Sequence, residues 1–451
     1  MHVAFFNRSF FPDTTATSQL LTDLCEDLIR DHGCRVSVVA GVPLLPATHT
    51  TASRAVVSRE THNGIEIFRA RGTRFAKTWF PGRVANYLTY FLSACYAGQR
   101  LDRPDIVVAL TDPPIIGLAA YLSGKRFRAP LVMAFKDLFP EVTVLIDDFH
   151  SDTVNAVLQG VNKFLVKRAA ANVALGETMR KRLIENKKAP PERTTIIADW
   201  ADTTAVAPGP KRNPFSETHG LAATFVVMHS GNLGLSQSLE TLVEAAALLR
   251  DVPDLQVVFV GEGVKKAELQ ERARALALAN VTFLPFTPKE RLGESFATAD
   301  VFVISLQRGL AGYIVPSKLY GILAAGRPYV AAVEDQCEVA SLTRAHECGL
   351  LAEPGNPRAL ADQILVFYRD RALAERAGAN ARALGLSFDR RGQVKRYMDL
   401  FRQILFRQVL ASPAPEASAA GNRPALTPHP QPQASPSAAA GAGETWRGPR
   451  G

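Results

Sequence analysis

Cysteine is scarce in this 451-residue sequence, and the five that occur form no pattern. Cys25, Cys34, Cys95, Cys337 and Cys348 are scattered, with no Cys-x-x-Cys pair. That argues against a disulfide framework and a cysteine-built zinc site, and it fits a reducing cytosol. His32, His62, His229 and His346 show no ligand spacing and read as structural. No nucleophile elbow is present, which sets aside Ser-His-Asp hydrolysis. Long apolar runs are also missing. The nearest, Val84 to Gln99, has 16 residues, short of the roughly 20 that a bilayer-spanning helix needs. The opening "MHVAFFNRSFFP" has no basic leader region, and Arg8 interrupts its apolar run, so it reads as a strand and not as a signal peptide. No nucleic-acid-binding motif is visible.

What is present is a chain able to bury a large core, with 47% hydrophobic and 21% charged residues. Its length suits two domains plus extras. Short β-branched runs ("VAFF", "RVSVVAG", "IVVAL", "APLVMAF", "ANVALG") alternate with helical patterns. The clearest helix is "SQLLTDLCEDLIRDHG", which Ser18 would cap at the start and Gly33 at the end. A second series begins near residue 224: "TFVVMHSG", "LQVVFVGEG", "VTFLPF", "DVFVIS", "PYVAAV" and "GLLAEPG". Strands alternating with helices predict parallel sheets covered on both faces. The expected organisation is an N-terminal domain over 1–200, a C-terminal domain over 201–385, and a helix over 386–410 that crosses back to the N-terminal domain. Residues 411–451, rich in Pro, Ala, Gly and Ser, are expected to be disordered.

The net charge of +9 is unevenly spread. From His62 to Arg103 seven basic residues (Arg69, Arg71, Arg74, Lys77, Arg83, Arg100, Arg103) meet only Glu66 and Asp102, with Phe75, Trp79, Phe80, Tyr87, Tyr90 and Phe91 among them. Two readings fit this stretch: a basic amphipathic surface for an anionic membrane, or a core helix flanked by solvated arginines.

Three segments bring backbone amides to strand ends. In "VPSKLYGILAAGRP" a helix begins at Pro316 and Ser317, with Lys318 at its positive end. A phosphate or diphosphate is the natural guest there, and a plain capped helix with a solvated lysine is the alternative. "HSGNLGLSQSLETL" places Gly231, Asn232, Leu233 and Gly234 in a tight turn before a helix. "VVFVGEGVKKAEL" starts like a dinucleotide fingerprint, but Lys266 fills the third glycine's place, and Asn280, about twenty residues past Gly261, has no acid beside it. NAD is therefore rejected, and Glu262 is left as a candidate near a base or ribose.

The ordered set of "SGNLGLSQSLETLVEAA", "VFVGEGVKKAEL", "NVTFLPFTPKERLGESFATADVFVISL", "VPSKLYGILAAGRP" and "CGLLAEPGNPRALADQI" resembles the C-terminal domain of glycosyltransferase family 4. "FFPDTTATSQLLTDLCEDL", "DLFPE", "ALGETMRKRL" and "ADWAD" resemble the N-terminal half of its bacterial O-antigen, capsule and exopolysaccharide subgroup. The resemblance covers roughly residues 1 to 408. It implies an α/β fold of the GT-B kind, with two Rossmann-like doubly wound domains facing a cleft. It also implies a nucleotide-sugar donor, a UDP-sugar in this reading, on the C-terminal domain and a glycan or polyprenyl-diphosphate-linked acceptor on the N-terminal one. Transfer would proceed with retention and no required metal or other cofactor. The cell location that follows is cytoplasmic, peripheral on the inner face of the plasma membrane, with residues 69–103 as the docking stretch.

Carried over by position, the resemblance implies donor contacts from Gly231, Asn232, Leu233, Glu262, Phe286, Tyr313, Ser317 and Lys318. Asp137 and Glu141 are the carboxylates that would position acceptor or donor sugar, with Lys318 as the cation at the chemistry. Thr14, Thr15 and Ala16 form the loop expected near the transferred sugar. The chain also departs from the family. The two glutamates eight apart that the family carries would fall at Tyr313 and Gly321, and the arginine and lysine of its glycine turn would fall at Asn232 and Gln237. Lys318 is then the leading cation, with Arg327 the alternative. Trp200 is expected to pack at the hinge. A nucleotide-sugar-modifying enzyme of the same fold and a non-catalytic scaffold are the other readings.

Overall fold

The computed structural model describes residues 1–43, 55–75, 80–145, 151–411 and 448. Eight strands form the first sheet: β1 (His2–Phe6), β2 (Arg35–Gly41), β3 (Val57–His62), β4 (Ile65–Ala70), β5 (Ile106–Ala109), β6 (Leu131–Ala134), β7 (Ala171–Ala174) and β8 (Thr194–Ile196). Their spatial order is β3-β4-β2-β1-β5-β6-β7-β8. Six more form the second: β9 (Phe225–Ser230), β10 (Leu255–Val260), β11 (Val281–Leu284), β12 (Val301–Ser305), β13 (Tyr329–Ala332) and β14 (Gly349–Ala352), ordered β11-β10-β9-β12-β13-β14. All pairings are parallel except β3 with β4. The apolar runs of β1, β5, β6, β7 and β12 are buried throughout, as strands covered by helices on both faces must be.

The order of the second sheet, counted within itself, is the doubly wound 3-2-1-4-5-6. A ligand crevice opens where the order reverses, at the carboxyl ends of β9 and β12. In the first sheet the reversal lies between β1 and β5. These two points position everything described below.

Helix Ala16–Arg30 starts earlier than its sequence suggests. Thr15 is its N-cap and accepts from the Ser18 amide at 3.4 Å. Ser18 lies inside the first turn and is fully buried. Asp31 is the C-cap, and Gly33, at φ +61, turns the chain just beyond it. The antiparallel β3–β4 hairpin turns at Asn63 and Gly64, both at positive φ.

The chain crosses between the sheets twice, and the two crossings are stitched together. Ala201 bridges Asp389, and the Thr203 hydroxyl donates to Asp389 at 2.6 Å. Helix Arg390–Ala411 then lies on the first sheet, its Val394, Tyr397, Met398 and Phe401 packed with Val3, Val36, Ile106 and Trp200. Arg390 fixes its start by donating to both carboxylate oxygens of Asp27 at 2.6 Å. Trp200 sits between the crossings and this helix, edge-on to Tyr397 at 6.4 Å. Met1–Gln408 form one compact unit and Val409–Gly451 another. The expected disorder of 411–451 lies almost wholly outside the described residues.

The basic aromatic stretch proves mixed. Arg69 is 3% exposed and paired with Glu60, and Tyr90 is buried. Phase on the helix explains it, because Tyr90 faces the sheet while Tyr87, Leu88, Leu92 and Tyr96 of helix Phe80–Gly98 are exposed. Lys77 and Trp79 fall outside the described residues. Among the described residues no helix is long and apolar enough to cross a membrane.

Candidate active site

Two glycine turns close on each other at the end of β9. A Cβ on Gly261 would lie 2.0 Å from the Gly231 carbonyl oxygen, and one on Gly263 would lie 2.3 Å from that of Leu233. Only glycine permits this approach. The Gly231 amide donates to Val260 at 2.9 Å, Leu233 donates to Glu262 at 2.9 Å, and the Lys265 amide returns to Leu233 at 3.0 Å. Leu233 thus serves through its backbone, its side chain being fully buried. Asn232 is exposed at the tip. Phe286, 46% exposed, puts its ring edge beside Gly261. The Glu262 carboxylate is paired with Lys266 at 2.6 Å on the open surface.

Lys318 opens helix Lys318–Ala324, and Ser317 before it makes no capping bond with its side chain. The lysine stem runs along Gly231, with Cε 3.5 Å from where a Cβ would be. Its amine sits 3.0 Å from Nε2 of His229, a fully buried residue of β9. Among the described residues it meets no carboxylate. Burial pushes its pKa down to about 7. Burial, then Lys318, hold His229 well below its ordinary value. Arg327 is engaged elsewhere, donating to the carbonyls of Gly209 in the linker at 2.8 Å and of Ala297 in helix Leu292–Thr298 at 2.6 Å.

The first sheet contributes a polar cluster at its own reversal. Asn7, Arg8 and Ser9 follow β1, and Asp112 follows β5. Asp112 accepts from Arg8 at 3.1 Å and from the Ser9 hydroxyl at 2.7 Å. Beyond β6 come Lys136 and Asp137. Lys136 is buried and ion-paired with Asp199, which outweighs the cost of burying the ammonium and raises its pKa. Asp137 is half-buried, and its carboxyl has no hydrogen-bond partner among the described residues. Burial pushes its pKa up to about 6, with Asp199 adding to the effect. Glu141 differs from Asp137. Its carboxylate is held at 2.6 Å by Lys187, whose side chain is 1% exposed, so it neutralises a buried cation.

The halves meet beside these groups. Asp137 bridges Ile314, and the Leu138 amide donates to the Tyr313 carbonyl at 3.0 Å. Arg182 lies over the Tyr313 ring at 4.7 Å. Glu338 reaches across to helix Glu177–Lys187, whose N-cap is a glycine, and accepts from the Thr178 amide at 3.4 Å. A carboxylate there faces the positive end of that helix. A cavity of about 540 Å³ adjoins the join, lined by Pro140, Glu141, Val144, Leu145, Arg182 and Tyr313 among others.

Comparison with known proteins settles the class. Residues 18–200 match the glycosyl transferase 4-like domain and residues 215–384 match the glycosyl transferases group 1 model. This chain belongs to the GT-B glycosyltransferases. The probable glycosyltransferase WbjE of Pseudomonas aeruginosa is 25% identical over 280 residues, 62% of this chain and 70% of that protein. The putative colanic acid biosynthesis glycosyl transferase WcaI of Escherichia coli K12 is 37% identical over 117 residues, 26% of this chain and 28% of that protein. The fold matches Anabaena Alr3699/HepE, solved in complex with UDP and glucose, at a TM-score of 0.68 and 18% identity, covering 89% of this chain and 99% of that one.

Within this glycosyltransferase the predicted residues separate. Gly231, Asn232, Leu233, Phe286, Ser317 and Lys318 gather at the reversal of the second sheet, and Asp137 and Tyr313 meet at the join. Thr14, Thr15 and Ala16 form the exposed start of helix Ala16–Arg30, where the Thr15 hydroxyl is used as the cap. At the family's glutamate positions, Gly321 faces the Phe296 ring, with 3.1 Å left for a Cβ, and Tyr313 stacks under Arg182. Gln237 accepts the Gly234 amide at 3.5 Å. Sequence reasoning missed Asp112, Asp199, Lys187, Glu338 and the role of His229. The signal for Asp112 was its place in "LTDPPI", directly after a strand beside β1.

Proposed function

We propose that this glycosyltransferase moves a sugar, with retention of configuration, from a UDP-sugar to a lipid-linked or growing glycan acceptor in bacterial surface-polysaccharide assembly. The observation that carries the reading is the Lys318 amine. It is desolvated, meets no carboxylate among the described residues and is aimed along a glycine turn at a sheet reversal. A buried cation without a counter-charge is costly, and an anionic ligand removes that cost. Breaking the sugar–diphosphate bond leaves charge on the leaving group, and Lys318 with the adjacent helix start stabilises it there with no metal required. Phe286 offers a face to the base. Asp137, across the join, takes the place of a group that orients the acceptor hydroxyl or donor sugar. The likeness to WcaI, a putative colanic acid biosynthesis glycosyl transferase, supports the polysaccharide assignment, and the UDP bound to HepE supports the choice of nucleotide. The exposed apolar face of helix Phe80–Gly98 would rest on the membrane that carries the acceptor.

The test is thermal stabilisation by UDP, GDP, ADP and TDP in the wild type and in Lys318→Ala. A ligand that binds only the folded state adds about 2.7 kcal/mol at a hundred times its dissociation constant. UDP should shift the wild type, and the shift should collapse in the variant. No shift with any nucleotide would move the chain to the scaffold reading, which Gly321 and Tyr313 in place of glutamates would then support.

A further inference from the structure

We propose that His229 is a positioning residue: its buried imidazole holds the Lys318 amine against the Gly231 turn, so that the donor diphosphate meets a fixed cation and its binding draws one proton from solvent onto the pair. This rests on the donor reading above and goes beyond it in naming what aims the cation and what it costs in protons.

The geometry carries the argument. Lys318 has four rotatable side-chain bonds and, among the described residues, one hydrogen-bond partner for its amine, His229 Nε2 at 3.0 Å. His229 is 0% exposed, in the middle of the sheet on β9, so the partner cannot move away. When Lys318 is an ammonium, Nε2 must accept, and the imidazole proton lies on Nδ1, which makes no close hydrogen bond among the described residues and has the backbone of Asn232 and Val303 nearest it. When Lys318 is a neutral amine, the roles reverse and Nε2–H can donate to it. The pair therefore carries at most one positive charge and exists in two hydrogen-bonded forms. Around it lie the Gly231 turn, the Phe259 ring of β10 at 6.2 Å and the backbone of Val303 on β12. Among the described residues no other titratable side chain acts on either member. An arriving diphosphate supplies the counter-charge that the described residues do not, and it selects the protonated form. Burial, which lowers the Lys318 pKa to about 7, makes that uptake visible near neutrality.

The experiment is calorimetric titration of the full-length protein with UDP-glucose, in buffers of different ionisation enthalpy, from pH 6 to pH 8.5. UDP-glucose is the probe because its diphosphate does not titrate in that range. In the wild type, proton uptake should rise from near zero at pH 6 towards one at pH 8.5, and affinity should fall by up to about tenfold per pH unit above 7. His229→Leu should weaken binding by about tenfold to a hundredfold, the worth of a hydrogen bond to a charged group, and shift the pH dependence to lower pH. His229→Gln, which keeps an acceptor, should restore most of the affinity. Lys318→Arg, always charged, should bind without proton uptake, and it keeps the test open if His229→Leu does not fold. If UDP-glucose binds all four proteins with the same pH profile and uptake, the positioning role is overturned and the donor reading stands. If neither UDP-glucose nor UDP binds the wild type, the donor reading itself falls.

Discussion

Asp137 and Lys318 titrate in opposite senses on folding. Asp137 binds its proton more tightly in the folded protein, so that contribution to stability is complete below about 3.8 and is lost as pH rises through about 6. Lys318 binds its proton less tightly in the folded protein, so its contribution is present above 10.5 and is lost as pH falls through about 7. If transfer needs Asp137 ionised and Lys318 charged, kcat/KM peaks in a narrow band with flanks near 6 and 7. Asp137→Asn should lower kcat/KM by about 10²–10⁴-fold and remove the acidic flank, while Lys318→Arg should remove the alkaline one. A pH–rate profile of each variant checks this, and an unchanged acidic flank in Asp137→Asn would exclude that carboxyl. Glu141→Gln should behave otherwise. With Lys187 buried beneath it, the loss should show first as a lower Tm. The sequence placed Asp137 and Lys318 correctly at strand and helix ends but could not separate Asp137 from Glu141. What separates them is a lysine 46 residues further on, and contacts of that range leave no local pattern.

At the scale of elements, the interlocked turns make a sharp contrast between glycines. Gly263→Ala would drive a Cβ into the Leu233 backbone, and it should cost about 1–3 kcal/mol and weaken donor binding as the turn shifts. Gly392→Ala, on helix Arg390–Ala411 with open space around it, should stabilise by about 0.8–1 kcal/mol. Thermal unfolding of the two variants decides between steric and conformational origins. Most of the parallel strands were readable because burial on both faces makes them unbroken apolar runs, but β8, three residues long, reads as part of the linker. β3 and β4 were not, because β3, "VSRETH", is a half-exposed edge strand without such a run. Yet Asn63-Gly64 is the strongest short-range hairpin signal a sequence offers. The helix start at Thr15 was missed for a different reason. Thr15 and Ser18 are both capping residues, and only the burial of Ser18 chooses between them.

At the scale of the molecule, the exposed Tyr87, Leu88, Leu92 and Tyr96 lie on the side of helix Phe80–Gly98 away from the buried Tyr90, Ala94 and Ala97, and Arg100 lies over Tyr96 at 4.3 Å. Flotation with vesicles containing anionic lipid should carry the wild type upward and leave a Leu88→Glu/Leu92→Glu variant behind. Equal flotation of both would remove this face from the membrane reading. The division into two sheets was legible from the two series of strands, and so was the return of the last helix, because "FDRRGQVKRYMDLFRQILFRQVL" follows the last strand signal. The contacts across the join, among them Leu138 with Tyr313 and Glu338 with Thr178, were not, since each couples segments from different series.

The returning helix has a consequence for how the protein is made. Val394, Tyr397, Met398 and Phe401 belong to the same core as β1 and β2, which are synthesised long before them. A ribosome therefore releases all the strands of both sheets before β1 and β2 gain their final cover. Until then the nascent N-terminal sheet shows an apolar face that chaperones can recognise. Residues 1–200 produced alone should keep that face open and tend to aggregate, whereas a circular permutant that begins with the last helix would supply its cover at the outset.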